Sequence, residues 1–244
     1  MAIRAVWIDI DNTLLDFDAY VHDALKEGMN RFGIAEFSED MLPVFHRENG
    51  KLWRQIERGT LTFEELQQIR FNHVFRALGV EGDGVSFEHF FREFLHEYAV
   101  PVEGARDMLE ALAALPEGLV LCTASNGPYE QQIHRMEISG MNHYFRHHFI
   151  SERLGASKPS RAFFEAGMQE MNRRQLELGL KELKPEEVLM LGDSLTSDMA
   201  GGRDFGMQTC WFDRSGAGLP EEEPPQHRVE TLQEVSTWIK EAIS

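Results

Sequence analysis

The chain of 244 residues has little cysteine, a shortage of positive charge and no long apolar run. Only Cys122 and Cys210 occur, both inside apolar segments ("LVLCT", "TCWF"), which argues against a disulfide framework and reads as two small buried hydrophobes. No stretch of apolar residues is long enough to cross a bilayer, and the opening "MAIRAVWIDID" enters a strand-like run directly, without a cleavage-site pattern. The expectation is a cytoplasmic protein with no membrane partner. With 24 basic residues against 41 acidic ones, the formal charge of −17 opposes nucleic-acid polymers and anionic surfaces as partners. An anionic small molecule is still admissible where positive charge is gathered locally. The ten histidines include no HExxH or comparable metal spacing, and the adjacent pair His147 and His148 would point to opposite faces of a strand.

Short apolar runs recur along the chain. "VWI" (6–8) is followed by "GLVLCTA" (118–124), "HHFIS" (147–151), "EVLMLGD" (187–193) and "MQTCWF" (207–212), with helix-like stretches near 128–139, 159–178 and 196–205 between them. Nearly continuous apolar runs alternating with helices imply an α/β fold, a Rossmann-like parallel sheet covered on both faces. Residues 17–98 break the rhythm with four helical segments, one opening on a Thr62/Glu65 capping box. The reading is therefore a core domain of residues 1–16 plus 99–244 with an inserted helical-bundle domain over 17–98. "VPVEGARDMLEALAAL" resumes the core with Ala105, Met108, Leu109 and Leu112 on one helix face, and "ETLQEVSTWIKEAI" closes it as an amphipathic helix. "SGAGLPEEEPPQ" reads as a loop with a solvated Glu run.

Polar residues stand where the strands end. The first run gives way to Asp9, Asp11, Asn12 and Thr13; the second to Ser125, Asn126 and Gly127; Lys158 follows the third; Asp193 and Asp198 follow the fourth. In an open parallel sheet the carboxyl ends of the strands share one crevice, where ligands bind. Two adjacent buried carboxylates are unfavourable unless a cation neutralises them, and four in one crevice suit a hard divalent ion such as Mg²⁺. Such an ion would draw in a phosphate, with Lys158 adding a point charge and Ser125 and the Asn126 amide donating to its oxygens. Asp9 could then attack phosphorus, and Asp11 serve as general acid and base.

These residues resemble the haloacid dehalogenase superfamily of phosphatases through four motifs in order: "DIDNT", Ser125, "KP" and "GDSLTSD". The resemblance implies that Asp9 is nucleophile and metal ligand, that Asp11 is acid/base and binds the metal through its carbonyl, and that Asp193 is a ligand. It makes Asp198 an orienter of the metal site and Ser125, Asn126 and Lys158 the phosphate holders. The insertion looks like the helical cap of the family's first class. Many members carry Gly where this chain has Asn12, a mild departure because Asn tolerates unusual backbone angles. The cap segment "ENGKLWRQIERGTLTFEELQQIRF", with "LLDF" and "QTCWF", is similar to the pyrimidine 5′-nucleotidase branch. That implies a Mg²⁺-dependent monomer or dimer acting on a nucleoside monophosphate. Other small metabolites such as a sugar phosphate or phosphoglycolate, or a catalytically silent binding role, are the alternatives. Trp53 and Arg54 could contact a nucleotide or pack within the cap. A dehalogenase would lack the second aspartate, here Asp11.

Overall fold

A computed structural model of the chain describes residues 3–115, 118–216, 218–219 and 224–243. The acidic part of the expected "SGAGLPEEEPPQ" loop, residues 220–223, lies outside the described residues. Along the chain, β1 (Ala5–Ile8) precedes four helices, α1 (Phe17–Arg31), α2 (Met41–Glu57), α3 (Phe63–Leu78) and α4 (Gly84–His96). After them come α5 (Ala105–Ala113), β2 (Val120–Ser125), α6 (Tyr129–Ile138), β3 (His147–Ile150), α7 (Ser151–Leu154) and α8 (Arg161–Glu177). The chain continues with β4 (Val188–Gly192), a π-helical turn over Leu195–Met199, α9 (Ala200–Phe205), β5 (Gln208–Phe212), β6 (His227–Val229) and α10 (Leu232–Ile243). It divides into two compact units, Met1–Asp16 with Pro101–Ser244, and Phe17–Val100.

The first unit is a parallel six-stranded sheet in the order β3-β2-β1-β4-β5-β6, with helices alternating between its strands. Five strands coincide with the apolar runs. The sixth was not anticipated, because three residues ending in a single buried valine carry no period of their own. The β1 residues alternate faces, and both faces are buried. Ala5 and Trp7 join Cys122, Ala124, Phe149 and Met190 under Phe163, Phe164 and Met168 of α8, while Val6 and Ile8 turn the other way and are equally inaccessible. The Trp7 indole lies 4.3 Å from the Phe149 ring, and α8 approaches so closely that a Cβ at Gly167 would sit 2.6 Å from it. Both cysteines are buried, and burial pushes the Cys210 thiol up to about 12. Register matters most for the site: Ile8 lies level with Thr123 of β2 and Leu191 of β4, so Asp9, Ser125 and Asp193 all emerge at the carboxyl ends of three neighbouring strands.

The second unit packs α1 to α4 around Tyr20, Phe45, Phe71, Phe75, Phe87 and Phe91. Thr62 and Glu65 form the capping box, with the Glu65 N–H donating to Thr62 Oγ1 at 3.1 Å and the Thr62 N–H to Glu65 Oε2 at 2.8 Å. Trp53 packs on Phe63 at 5.9 Å, within the unit. Inside the aromatic cluster sits one ion pair: Arg70, 4.9 Å from the Phe91 ring centre, donates through Nε to Glu88 at 2.8 Å and through Nη1 to Asn49 at 3.2 Å. Removing one partner strands the other charge away from water. Arg70→Ala should therefore cost about 3–5 kcal/mol, whereas Arg70→Met combined with Glu88→Leu should be near neutral. Urea unfolding of both variants checks this, and equal losses would contradict it.

Candidate active site

Asp9, Asp198 and the Ala124 carbonyl converge on one ammonium group. Lys158 Nζ donates to Asp9 Oδ1, to Asp198 Oδ1 and to the Ala124 carbonyl, each at 2.6 Å, which accounts for all three of its protons. The group is 1% exposed. Burial disfavours its charge, but Asp198 and Asp9 more than offset that and hold its pKa above the ordinary lysine value. For Asp9 the balance runs the other way. Burial pushes its carboxyl up to about 7, against the pull of Lys158 and with Asp198 and Asp11 adding to the rise.

Asp198 reaches Lys158 because the π-helical turn after β4 folds its carboxylate back onto Gly192. Its second oxygen accepts from the Ser194 N–H at 3.1 Å, and Ser194 Oγ caps the turn at the Ser197 N–H. Asp193, half-buried, is braced by its carbonyl accepting from Trp211 Nε1 at 2.8 Å. Carboxylate oxygens of Asp9, Asp193 and Asp198 lie within 4.8 Å of one another, an all-oxygen donor set that fits a hard divalent cation. The Asp11 carboxylate is not in that cluster.

Two expected phosphate holders are engaged elsewhere in this structure. The Asn126 side chain, expected to donate to phosphate, donates instead to the Lys158 carbonyl at 2.9 Å and accepts the Lys158 N–H at 2.8 Å. It is a clasp on the lysine's backbone. Lys158 itself, expected to meet a phosphate, is occupied by carboxylates and a carbonyl. Ser125 lies at the end of β2 and accepts from Gln132 Nε2 at 2.8 Å.

Asp11 leaves the strand through a turn in which Asn12 has φ +61, the left-handed region that Asn enters more readily than most residues other than Gly. Leu15 bridges both Asp11 and Pro101, closing the turn. Arg214 donates to Asn12 Oδ1 and to Asp16 from the loop after β5. The Asp11 carboxylate accepts from Gln132 Nε2 at 2.8 Å and from Arg135 Nη1 at 2.7 Å. Sequence reasoning missed Gln132 and Arg135. The signal was available: a helix opening directly after the Ser-Asn-Gly turn presents residues three apart to the crevice. His147 and His148 stay outside the site, the first near Glu170 and the second sharing a hydrogen bond with Thr123.

Residues 3–206 match the family model of haloacid dehalogenase-like hydrolases. The pyrimidine 5′-nucleotidase PynA of Streptococcus pneumoniae is 32% identical over 215 residues, 87% of this chain and 84% of that one. The pyrimidine 5′-nucleotidase YjjG of Escherichia coli is 27% identical, with 96% of each chain covered. The crystal structure of the HAD-hydrolase YfnB of Bacillus subtilis bound to magnesium superimposes with a TM-score of 0.84 at 29% identity, covering 98% of this chain and 99% of that one.

The back-folded carboxylate makes a test. A Cβ at Gly192 would sit 2.2 Å from Asp198 Oδ2, so Gly192→Ala must push Asp198 off the Ser194 N–H and off Lys158. The expected cost is about 1–3 kcal/mol of stability, read as a lowered melting temperature. A melting curve identical to wild type would mean that the carboxylate is not held where the structure has it.

Proposed function

The chain belongs to the haloacid dehalogenase-like hydrolases, and from that premise we propose that it is a magnesium-dependent phosphomonoesterase whose substrates are nucleoside monophosphates. The observation that carries the reading is the buried Asp9 carboxylate, fixed by Lys158 beside Asp193 and Asp198, with a second aspartate two residues on. Asp9 and Asp193, with the Asp11 carbonyl, would hold the ion, and Asp198 would orient the group. Bound there, magnesium supplies charge neutralisation that lets a phosphate approach carboxylates.

The chain's own residues then divide the work. Lys158 holds one oxygen of Asp9 and so sets the carboxylate's rotation; the other oxygen attacks phosphorus. The ester P–O bond breaks, the leaving oxygen takes a proton from Asp11, and Asp9 becomes an aspartyl phosphate. Water, giving its proton to Asp11, then attacks that phosphorus; inorganic phosphate leaves and the Asp9 carboxylate is restored. Ser125 Oγ and the Asn126 backbone N–H are assigned to the phosphate oxygens, the Asn126 side chain having its own duty at Lys158. Lys158 contributes its charge to the same oxygens.

The nucleotide preference rests on similarity to the two pyrimidine 5′-nucleotidases. A crevice of aspartates, a serine and a lysine has no group that reads a base, so selectivity is assigned to the helical unit Phe17–Val100. Phosphate release should be strongest from nucleoside monophosphates in a panel that includes sugar phosphates, and should require Mg²⁺. In Asp9→Asn, which keeps the volume but cannot attack, turnover should fall below about a thousandth of wild type. Faster release from sugar phosphates would overturn the nucleotidase assignment alone. Undiminished turnover by Asp9→Asn would remove the covalent mechanism.

A further inference from the structure

One fully buried polar pair on α6 has no part in the four motifs. Gln132 and Arg135, 2% and 0% exposed, stand one turn apart on the inner face of the helix. Their hydrogen bonds leave no freedom in how the glutamine amide is turned. A carboxylate can only accept and a guanidinium can only donate, so Gln132 Nε2 must face Asp11 Oδ2 and Oε1 must face Arg135 Nη1, at 2.8 Å each. The second proton on Nε2 goes to Ser125 Oγ, also at 2.8 Å. One amide therefore touches the serine at the end of β2, the aspartate beyond β1 and the arginine behind it.

We infer that Gln132 and Arg135 are positioning residues for the phosphatase reaction proposed above, on which this inference rests, Gln132 tying the placement of the Asp11 carboxylate to the orientation of the Ser125 hydroxyl. Because Ser125 Oγ accepts from the amide, its own proton is turned to donate elsewhere, which is what a phosphate oxygen needs. The Asp11 oxygens are treated unequally. Oδ1 is anchored by the guanidinium at 2.7 Å in a charge-assisted bond, while Oδ2 is met by a neutral amide, the weaker donor. Oδ2 is thus the oxygen that can release its partner and pass a proton to the leaving group. Arg135 holds the carboxylate; Gln132 aims it.

A structural role alone would slow every substrate alike, whereas misplacing the group that protonates the leaving oxygen should hurt poor leaving groups most. The full-length protein with Mg²⁺ is assayed on uridine 5′-monophosphate, whose alkoxide needs a proton, and on p-nitrophenyl phosphate, whose phenolate does not. Gln132→Met, close in volume and without donors, should lower kcat roughly 10–100-fold on the nucleotide and less than about 3-fold on the aryl ester, since general acid catalysis spans about 10²–10⁴-fold. KM should rise for both as Ser125 loses its orientation, and Arg135→Met should shift the kcat ratio in the same direction. Gln132→Glu, which keeps the volume and the Arg135 contact but presents only acceptors to Ser125 and Asp11, is the second variant if Gln132→Met does not fold. In an Asp11→Ala background the Gln132 substitution should leave the ratio of the two substrates unchanged. Equal losses on both substrates in a folded variant, or an undisturbed ratio, would overturn the inference while leaving the phosphatase reading intact. No Mg²⁺-dependent turnover by wild type on either ester would remove that reading, and the inference with it.

Discussion

The structure at the sheet edge depends on the placement of one ammonium group. Taking a lysine out of water costs several kcal/mol unless each of its protons finds an acceptor, and Lys158 finds three, at the ends of β1 and β2 and in the turn after β4. That requirement constrains everything around it. The three strands must end in register. Asn126 must clasp the lysine's backbone from both sides. Position 192 must be glycine, because the Asp198 carboxylate lies where a Cβ would be.

The arrangement also explains why two aspartates separated by a single residue can end a core strand. Each has its own cation. Asp9 is paired with Lys158 and Asp11 with Arg135, both cations buried and neither carboxylate sharing the other's. The turn between them, with Asn12 in a left-handed conformation and Leu15 bridged to Asp11, lets the second carboxylate leave the first. Oxygens of Asp9, Asp193 and Asp198 nevertheless lie within 4.8 Å of one another, and burial leaves the Asp9 carboxyl at about 7. Oxygen donors this close have the chemistry of a divalent-cation site.

Much of this was legible in the sequence. Strands buried on both faces must be nearly continuous in apolar residues, so β1, β2 and β4 announced themselves, β3 and β5 showed as shorter apolar runs, and residues that follow the strands carry the four motifs because the crevice lies at the carboxyl ends. The three-residue β6 was not legible, since it owes its existence to pairing with β5. Gln132 and Arg135 carried a positional signal, their place in the helix that follows the Ser-Asn-Gly turn, but no compositional one. In "YEQQIHRMEI" the buried face is built from Gln132, Arg135 and Met136, so a polar inner face looks like a solvent face until its partners, more than a hundred residues away, are known. Residue type marked Asn126 and Lys158 as site residues but not which oxygens they would meet, because hydrogen-bond partners are a property of the folded edge.

Asp9, held by Lys158, is the residue proposed to form the covalent bond to phosphorus. Borohydride trapping tests that proposal at the residue itself, because an aspartyl phosphate is reduced to homoserine whereas a free carboxylate is not. Protein quenched during turnover of a nucleoside monophosphate, reduced and mapped by peptide mass spectrometry, should carry homoserine at position 9 only when substrate and Mg²⁺ are both present. Reduction at position 11 or 193, or an unmodified Asp9 in protein that is visibly turning over, would contradict the account.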